Sequence, residues 1–205
     1  MEILFEDKYI LIANKAPGQP SQPDQSGVES LSDQAKAHTK NDVYILTRLD
    51  RPVKGLVLFA KDKNTADKLT KMVQEHRITK IYHALVCGNV EDEGHIESYL
   101  MKNSRLNISK IVNKGTAGSK IAILDYKLIE KRENVNKVEI NLKTGRHHQI
   151  RVQFASINAP LWGDVKYNSQ FKHKRGVTPA LCACKLVFNH PITGEMVNVE
   201  IDDNF

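Results

Sequence analysis

The chain opens with two apolar runs, Ile3-Leu4-Phe5 and Tyr9 to Ala13, separated by the polar triplet Glu6-Asp7-Lys8. Strand-length runs around turn formers predict a hairpin. Pro17-Gly18-Gln19-Pro20-Ser21-Gln22-Pro23-Asp24 follows, dense in residues that break regular structure, and reads as a surface loop. Between Gly27 and Lys40, Val28, Leu31 and Ala35 recur at near-helical spacing and predict a short helix. Leu56 to Ala60 is apolar throughout and bounded by Gly55 and Lys61-Asp62-Lys63, the pattern of a strand buried on both faces. Beyond it, Asn64 is placed to cap a helix in which Ala66, Leu69, Met72 and Val73 share one side and which ends near Arg77.

Lys80 to Val86 alternates, with Tyr82, Ala84 and Val86 on one face, and Gly88-Asn89 ends that strand. Ile121 to Lys131 and Lys137 to Lys143 predict a second hairpin, joined through Glu133-Asn134-Val135-Asn136. Thr144-Gly145 then opens a helix from Arg146 to Ile157, with Ile150, Phe154 and Ile157 as its apolar stripe and His148 and Arg151 on an adjoining face. Asn158 to Tyr167 is a loop carrying Pro and Gly, and Leu181 to Phe188 and Met196 to Ile201 predict closing strands around the turn Asn189 to Gly194. Strands dominate and no internal repeat or linker divides the chain. The expected fold is therefore α+β, a single domain over 1–205 with a mixed, mostly antiparallel sheet and flanking helices.

At 205 residues and 23.2 kDa the chain is long enough to bury a core. Its apolar runs are too short to cross a bilayer, and Glu2, Glu6, Asp7 and Lys8 interrupt what would be the core of a secretory signal. With Cys87, Cys182 and Cys184 odd in number, reduced thiols and a cytoplasmic location are expected. Thirty Lys plus Arg against 24 Asp plus Glu leave a net charge of +6. Its distribution matters more. Met101 to Ile121 holds no acid but Lys102, Arg105, Lys110, Lys114 and Lys120; the stretch between Asp164 and Glu195 holds no acid but Lys166, Lys172, Lys174, Arg175 and Lys185. Either run alone is ordinary solvated surface, whereas two in one small chain point to a phosphate backbone as partner.

Taken one at a time, the candidate chemical groups are modest. Asp50 sits between Arg48 and Arg51 where a loop runs into the buried strand, an arrangement that favours the ionised carboxylate and suits nucleophilic attack. An arbitrary Arg-Leu-Asp-Arg is, however, usually a surface ion pair. Tyr82 on a strand is by default a packing residue, and Arg151 on an amphipathic helix a solvated flank. Cys182-Ala183-Cys184 with His173 and His190 lacks the paired spacing of a metal site, and Gly115 to Lys120 lacks the spacing of a phosphate loop. No metal is expected.

Together the motifs carry more. Arg48-Leu49-Asp50, followed by Gly55-Leu56-Val57-Leu58 and Ala60-Lys61, resembles the catalytic motif of the RluA-type pseudouridine synthases. Lys80 to Val86 resembles their second motif and Thr144-Gly145-Arg146-His147-His148-Gln149-Ile150-Arg151-Val152 their third. Similarity extends to the opening hairpin with its Asn-Lys-x-x-Gly segment, to Pro160-Leu161-Trp162-Gly163-Asp164, and to Phe188-Asn189-His190-Pro191, in the family's order and over nearly the whole chain. The resemblance implies a pseudouridine synthase fold with a central RNA-binding cleft. It makes Asp50 the catalytic aspartate, Tyr82 the tyrosine at the target base and Arg151 the arginine that pairs with the aspartate. It makes Arg48 an arginine that enters RNA beside the flipped nucleotide. Lys54, whose stem can run along the cleft rim four positions after Asp50, and Arg146, His147 and His148 at the expected helix start are further candidate RNA contacts.

The implied reaction breaks the N1–C1′ bond of a uridine, turns the uracil and joins C5 to C1′. No redox change or cofactor is called for. Asp50 attack at C1′, attack on the ring, and a glycal route stay open; the resemblance leans to the last, with Tyr82 as a candidate proton shuttle. Thr47, Val53, Lys54 and Gln153 depart from the common pattern without touching the three catalytic positions, and bear on the RNA partner and the pocket rim. No S4-like basic module precedes the catalytic region, so the expected partner, rRNA or tRNA, would be gripped by this domain, as a monomer and away from membranes. The competing expectation is a non-catalytic RNA-binding protein that retains the fold.

Overall fold

The computed structural model describes residues 1–205. In chain order the elements are β1 (Glu2–Glu6), β2 (Ile10–Lys15), α1 (Leu31–Thr39), β3 (Tyr44–Ile45), β4 (Lys54–Ala60), α2 (Lys63–Gln74), β5 (Thr79–Val86), β6 (Glu93–Asn103), β7 (Ile108–Val112), β8 (Lys120–Lys131), β9 (Asn136–Leu142), α3 (Gln149–Ser156), β10 (Leu181–Asn189) and β11 (Met196–Glu200). They form an α+β fold of two compact units, Met1–Lys80 with Ala183–Asn204, and Ile81–Cys182 with Phe205. The first unit draws on both ends of the chain. Its boundary therefore has no linker to show in the sequence.

In the first unit the strand order is β1-β2-β4-β10, with β3 on β4 and β11 on β10. β2 and β4 are antiparallel, Ile10 opposite Ala60 and Lys15 opposite Gly55. Leu56, Leu58 and Ala60 pack into a cluster with Ala66, Leu69 and Met72 of α2 and Leu186 and Phe188 of β10. Val57 and Phe59, which alternate with them, are equally buried, so β4 is covered on both faces as its unbroken apolar run predicts. At Gly55 φ is +123°, and a Cβ there would run into the Ala183 carbonyl, so only glycine serves at this point of β4. α2 is capped by Asp62, whose carboxylate accepts from Thr65 N at 2.9 Å, two residues ahead of the expected Asn64. α1 starts at Leu31, later than its pattern suggests, because Ser30 and Asp33 close a capping box there.

In the second unit the order is β5-β9-β8-β6-β7, and each of these neighbours is paired antiparallel. Tyr82 lies opposite Ile140, which in turn lies opposite Tyr126. β6 and β7 fall in a region where no strand was expected. Of the eleven residues of β6 only Ile96 and Leu100 are buried apolar groups, too few to stand out as alternation. α3 starts at Gln149 rather than Arg146, because His148 takes a left-handed conformation at φ 54°. Gln149 Oε1 accepts from Thr144 Oγ1 at 2.7 Å and from Arg146 N at 3.0 Å, which winds the preceding residues into a turn instead of a helix.

Candidate active site

Asp50 sits half-buried in the turn that leads into β4, where Val53 N donates to the Asp50 carbonyl at 2.9 Å. Both neighbours of Asp50 are tied down. Leu49 N donates to Ser21 Oγ at 3.1 Å, and that hydroxyl donates back to the Leu49 carbonyl at 2.8 Å. The Arg51 carbonyl accepts from Gly18 N at 2.8 Å and from Lys15 Nζ at 3.0 Å. Two hydrogen-bonded clamps thus bracket the carboxylate, one from Ser21 and the other from Gly18, both in the Pro- and Gly-rich segment after β2, with Lys15 at the end of β2 completing the second. Arg51 turns its own Nε to the Gly18 carbonyl at 2.9 Å and lies 3.5 Å from Asp24, while exposed Arg48 reaches Gln22 Oε1 at 3.4 Å. Lys54, at the start of β4, is partly exposed.

Sequence reasoning missed Lys15. Its side chain is wholly buried, and its ammonium donates to the carbonyls of Ala16 (3.0 Å), Gln19 (2.8 Å) and Arg51 (3.0 Å). Burial pulls its pKa down to about 8, attraction to Asp50 resists that fall, and repulsion from Arg51 adds to it. The available signal was a lysine ending an otherwise apolar strand, opposite Gly55 in register.

The second unit holds Tyr82 on β5, only 7% exposed, and Arg151 on α3, only 2% exposed. Far from being a solvated flank, Arg151 forms a bidentate pair with wholly buried Asp164, Nε to Oδ2 at 2.7 Å and Nη2 to Oδ1 at 2.8 Å. Asp164 Oδ1 also accepts from Lys166 N and Tyr167 N, fixing the loop after the helix. Tyr167 places its ring 5.3 Å from the Arg151 guanidinium. Its hydroxyl accepts from Ser109 N at 2.7 Å and shares a 2.8 Å hydrogen bond with His148 Nδ1. Burial, reinforced by Arg151 and His147, pushes the His148 pKa down to about 2 and keeps the imidazole neutral.

The other expected RNA contacts of this unit are also held by neighbours. His147 stacks on His148 at 3.8 Å and engages Ser109 Oγ and Asn107 Oδ1 with its two ring nitrogens. Arg146 Nε donates to the Ile121 carbonyl at 2.8 Å. Gln153, whose departure from the family pattern was expected to bear on the pocket rim, is wholly buried instead. Its Nε2 donates to the Ile96 carbonyl, Ser98 Oγ and the Ala122 carbonyl, tying α3 to β6 and β8. In the first acid-free segment Lys102, Arg105, Lys110, Lys114 and Lys120 are all exposed, and β7 runs through its middle. In the other unit, His190 Nδ1 accepts from Ile192 N and Thr193 N and so locks a turn.

Compared with known proteins, residues 9–156 match the family described as RNA pseudouridylate synthase, a span that includes positions 50, 82 and 151. The chain belongs to this family. It is an RNA pseudouridine synthase of the RluA type, an isomerase. The synthase is 31% identical over 234 residues to tRNA pseudouridine synthase C of Vibrio parahaemolyticus, covering 100% of this chain and 92% of that one. It is 28% identical over 219 residues to ribosomal large subunit pseudouridine synthase D of Zymomonas mobilis, covering 98% of this chain and 69% of the relative. Among solved structures it resembles human RNA pseudouridylate synthase domain containing 1, with a TM-score of 0.82 and 25% identity over 100% of this chain and 84% of that one. Within the matched span of the synthase, Asp50 is a carboxylate whose two neighbours are pinned, and Arg151 a guanidinium fixed by a buried carboxylate.

Proposed function

We propose that the synthase converts a uridine of structured RNA, rRNA or tRNA, to pseudouridine, with Asp50 as the group that starts the reaction. The observation that carries this reading is the family match across all three motif positions. The pinned turn around Asp50 supports it, since a carboxylate that must meet one atom of a flipped nucleotide gains from a loop without freedom. Breaking N1–C1′ and joining C5 to C1′ moves one proton from C5 to N1 and changes no oxidation state, so no cofactor is required. Tyr82 stands at the target base and Arg151 orients the reacting groups, its planar fork held by Asp164. Arg48, Lys54, Arg146, His147 and His148 contribute to the grip on RNA around the extruded base, whose unstacking costs a few kcal/mol. The exposed cations of residues 101–121 and 165–194 bind the surrounding phosphates. The enzyme works as a monomer in the cytoplasm, where its three buried cysteine thiols stay reduced.

The test is chemical tagging of pseudouridine in rRNA and tRNA from cells with and without the gene, repeated with purified protein. A site that loses its tag in the deletion and regains it in vitro names the target. Specific RNA binding without any tag would leave a non-catalytic RNA-binding protein instead.

A further inference from the structure

Trp162 is the only tryptophan of the chain and is 40% exposed. The backbone around it is not loose. Trp162 N donates to the Leu85 carbonyl at 2.9 Å, and its own carbonyl accepts from Ala180 N at 2.9 Å. The next residue, Gly163, has φ +76° with the Thr178 carbonyl against the place a Cβ would occupy. A rigid frame therefore leaves two-fifths of a large apolar residue facing solvent, a part whose surface gains nothing from folding. One ring edge rests on buried Phe171, centroids 5.2 Å apart at 64°, and the Lys174 ammonium lies 4.6 Å from the Phe171 centroid. Lys172, Lys174 and Arg175 are all exposed, and no acid occurs between Asp164 and Glu195.

An exposed aromatic on a fixed backbone beside exposed cations is the combination that binds single-stranded nucleic acid, because every base offers a π-face and every linkage a phosphate. We propose that Trp162 is a stacking platform for an unpaired base of the RNA substrate, with Lys172, Lys174 and Arg175 on the phosphates of the same strand. The proposal rests on the reading that the substrate is RNA, and it adds a site outside the three motifs. The local excess of positive charge selects a polyanion over an apolar protein surface as the occupant.

With a single tryptophan, intrinsic fluorescence reports this site alone. Adding an unstructured RNA oligonucleotide to the intact protein should quench it saturably, and added salt should weaken the effect. In parallel, labelled RNA measures affinity for Trp162→Phe and Trp162→Leu, both of which keep Phe171 covered. The phenylalanine variant should retain most of the affinity and the leucine variant should lose about tenfold. Unquenched fluorescence in a protein that binds labelled RNA and makes pseudouridine overturns the platform and leaves the proposed function standing. Equal affinity of the leucine variant and the wild type does the same, and quenching by an acidic peptide but not by RNA assigns the surface to a protein partner. Wild-type protein that neither binds nor converts any RNA removes the proposed function, and this inference with it.

Discussion

Replacing Lys15 by methionine keeps the length of the side chain and removes its three hydrogen bonds, and the consequences follow acceptor by acceptor. The Arg51 carbonyl keeps Gly18 N at 2.8 Å and the Ala16 carbonyl keeps Gln19 N at 3.4 Å, whereas the Gln19 carbonyl loses its 2.8 Å bond to Nζ. Leaving one partly buried carbonyl unmet costs up to about 1–3 kcal/mol, and the weakened pair adds up to about 1 kcal/mol more. Against this, methionine relieves the desolvation of a buried ammonium. A net loss of about 1–3 kcal/mol at pH 7 is expected, read as a lower urea midpoint at unchanged slope. Single-turnover conversion should fall at least tenfold at saturating RNA, because the Arg51 clamp beside Asp50 slackens.

The same lysine makes a signed prediction in pH. Its pKa is near 10.5 in the unfolded chain and about 8 in the folded one, so between those values the unfolded state holds more protons and stability rises with pH. The gap corresponds to about 3 kcal/mol, a figure that already contains the hydrogen bond that a neutral amine, with only two N–H groups, gives up. Wild type should therefore gain about 1–3 kcal/mol over Lys15→Met as pH climbs from 8 to 10.5. Parallel stability profiles of the two proteins would refute the assignment of Lys15 as a buried cation that braces the Asp50 turn.

Asp50→Asn should fold and bind RNA but yield no pseudouridine, and turnover near wild type would remove Asp50 from the chemistry. Arg151→Met strands the buried Asp164 charge and should destabilise by about 3–5 kcal/mol. Adding Asp164→Leu should restore folding but not activity, and recovery of both would reduce Arg151 to a structural part. Arg151→Lys should regain part of the activity at most, since an ammonium cannot fill both oxygens of Asp164 at 2.7 and 2.8 Å. If about five of the exposed cations in the acid-free segments meet phosphates, log affinity against log salt should fall with a slope of roughly −3.5 to −4.5. A flat response would return those segments to plain surface. Tyr167→Phe removes the hydrogen bond to His148 Nδ1 and the acceptor of Ser109 N, and should cost about 1–3 kcal/mol in chemical denaturation.

Much of the fold was legible because its signals are local. β4 announces itself as an apolar run with glycine before it, and α2 by Ala66, Leu69 and Met72 at helical spacing. β6 and β7 escaped because they are largely solvated: a strand with little to bury carries no period-two signal, and its lysines read as a basic tract. The start of α3 was misjudged for a different reason. Helical periodicity continues back through His148 and Arg146, and only the positive φ of His148 and the reach of Gln149 to Thr144 break it. Neither stands out in composition: histidine enters the left-handed region more often than most residues, but still in only a small minority of cases, so a histidine inside a helical pattern does not mark a break.

The site divides along the same line. Asp50, Tyr82 and Arg151 could be named from motifs, since each is a side chain of a particular type at a particular place. What immobilises them is written differently. Asp50 is braced through the carbonyls of Leu49 and Arg51, groups that every residue possesses and no sequence pattern marks. Ser21 and Lys15 supply the donors from a segment that reads as an ordinary surface loop and the end of an ordinary strand. Arg151 has its carboxylate thirteen residues on, across a Pro-bearing loop, at a spacing no helical or strand rule connects. Backbone-directed bracing also explains why Thr47, Val53 and Gln153 can differ from the common pattern without disturbing these clamps. Thr47 Oγ1 accepts from Leu58 N at 2.9 Å, Val53 is buried and Gln153 ties α3 to two strands, so each serves the frame of its own unit. The family's reaction then depends on a few side chains, while the precision of their placement depends on loop carbonyls that drift in sequence leaves intact.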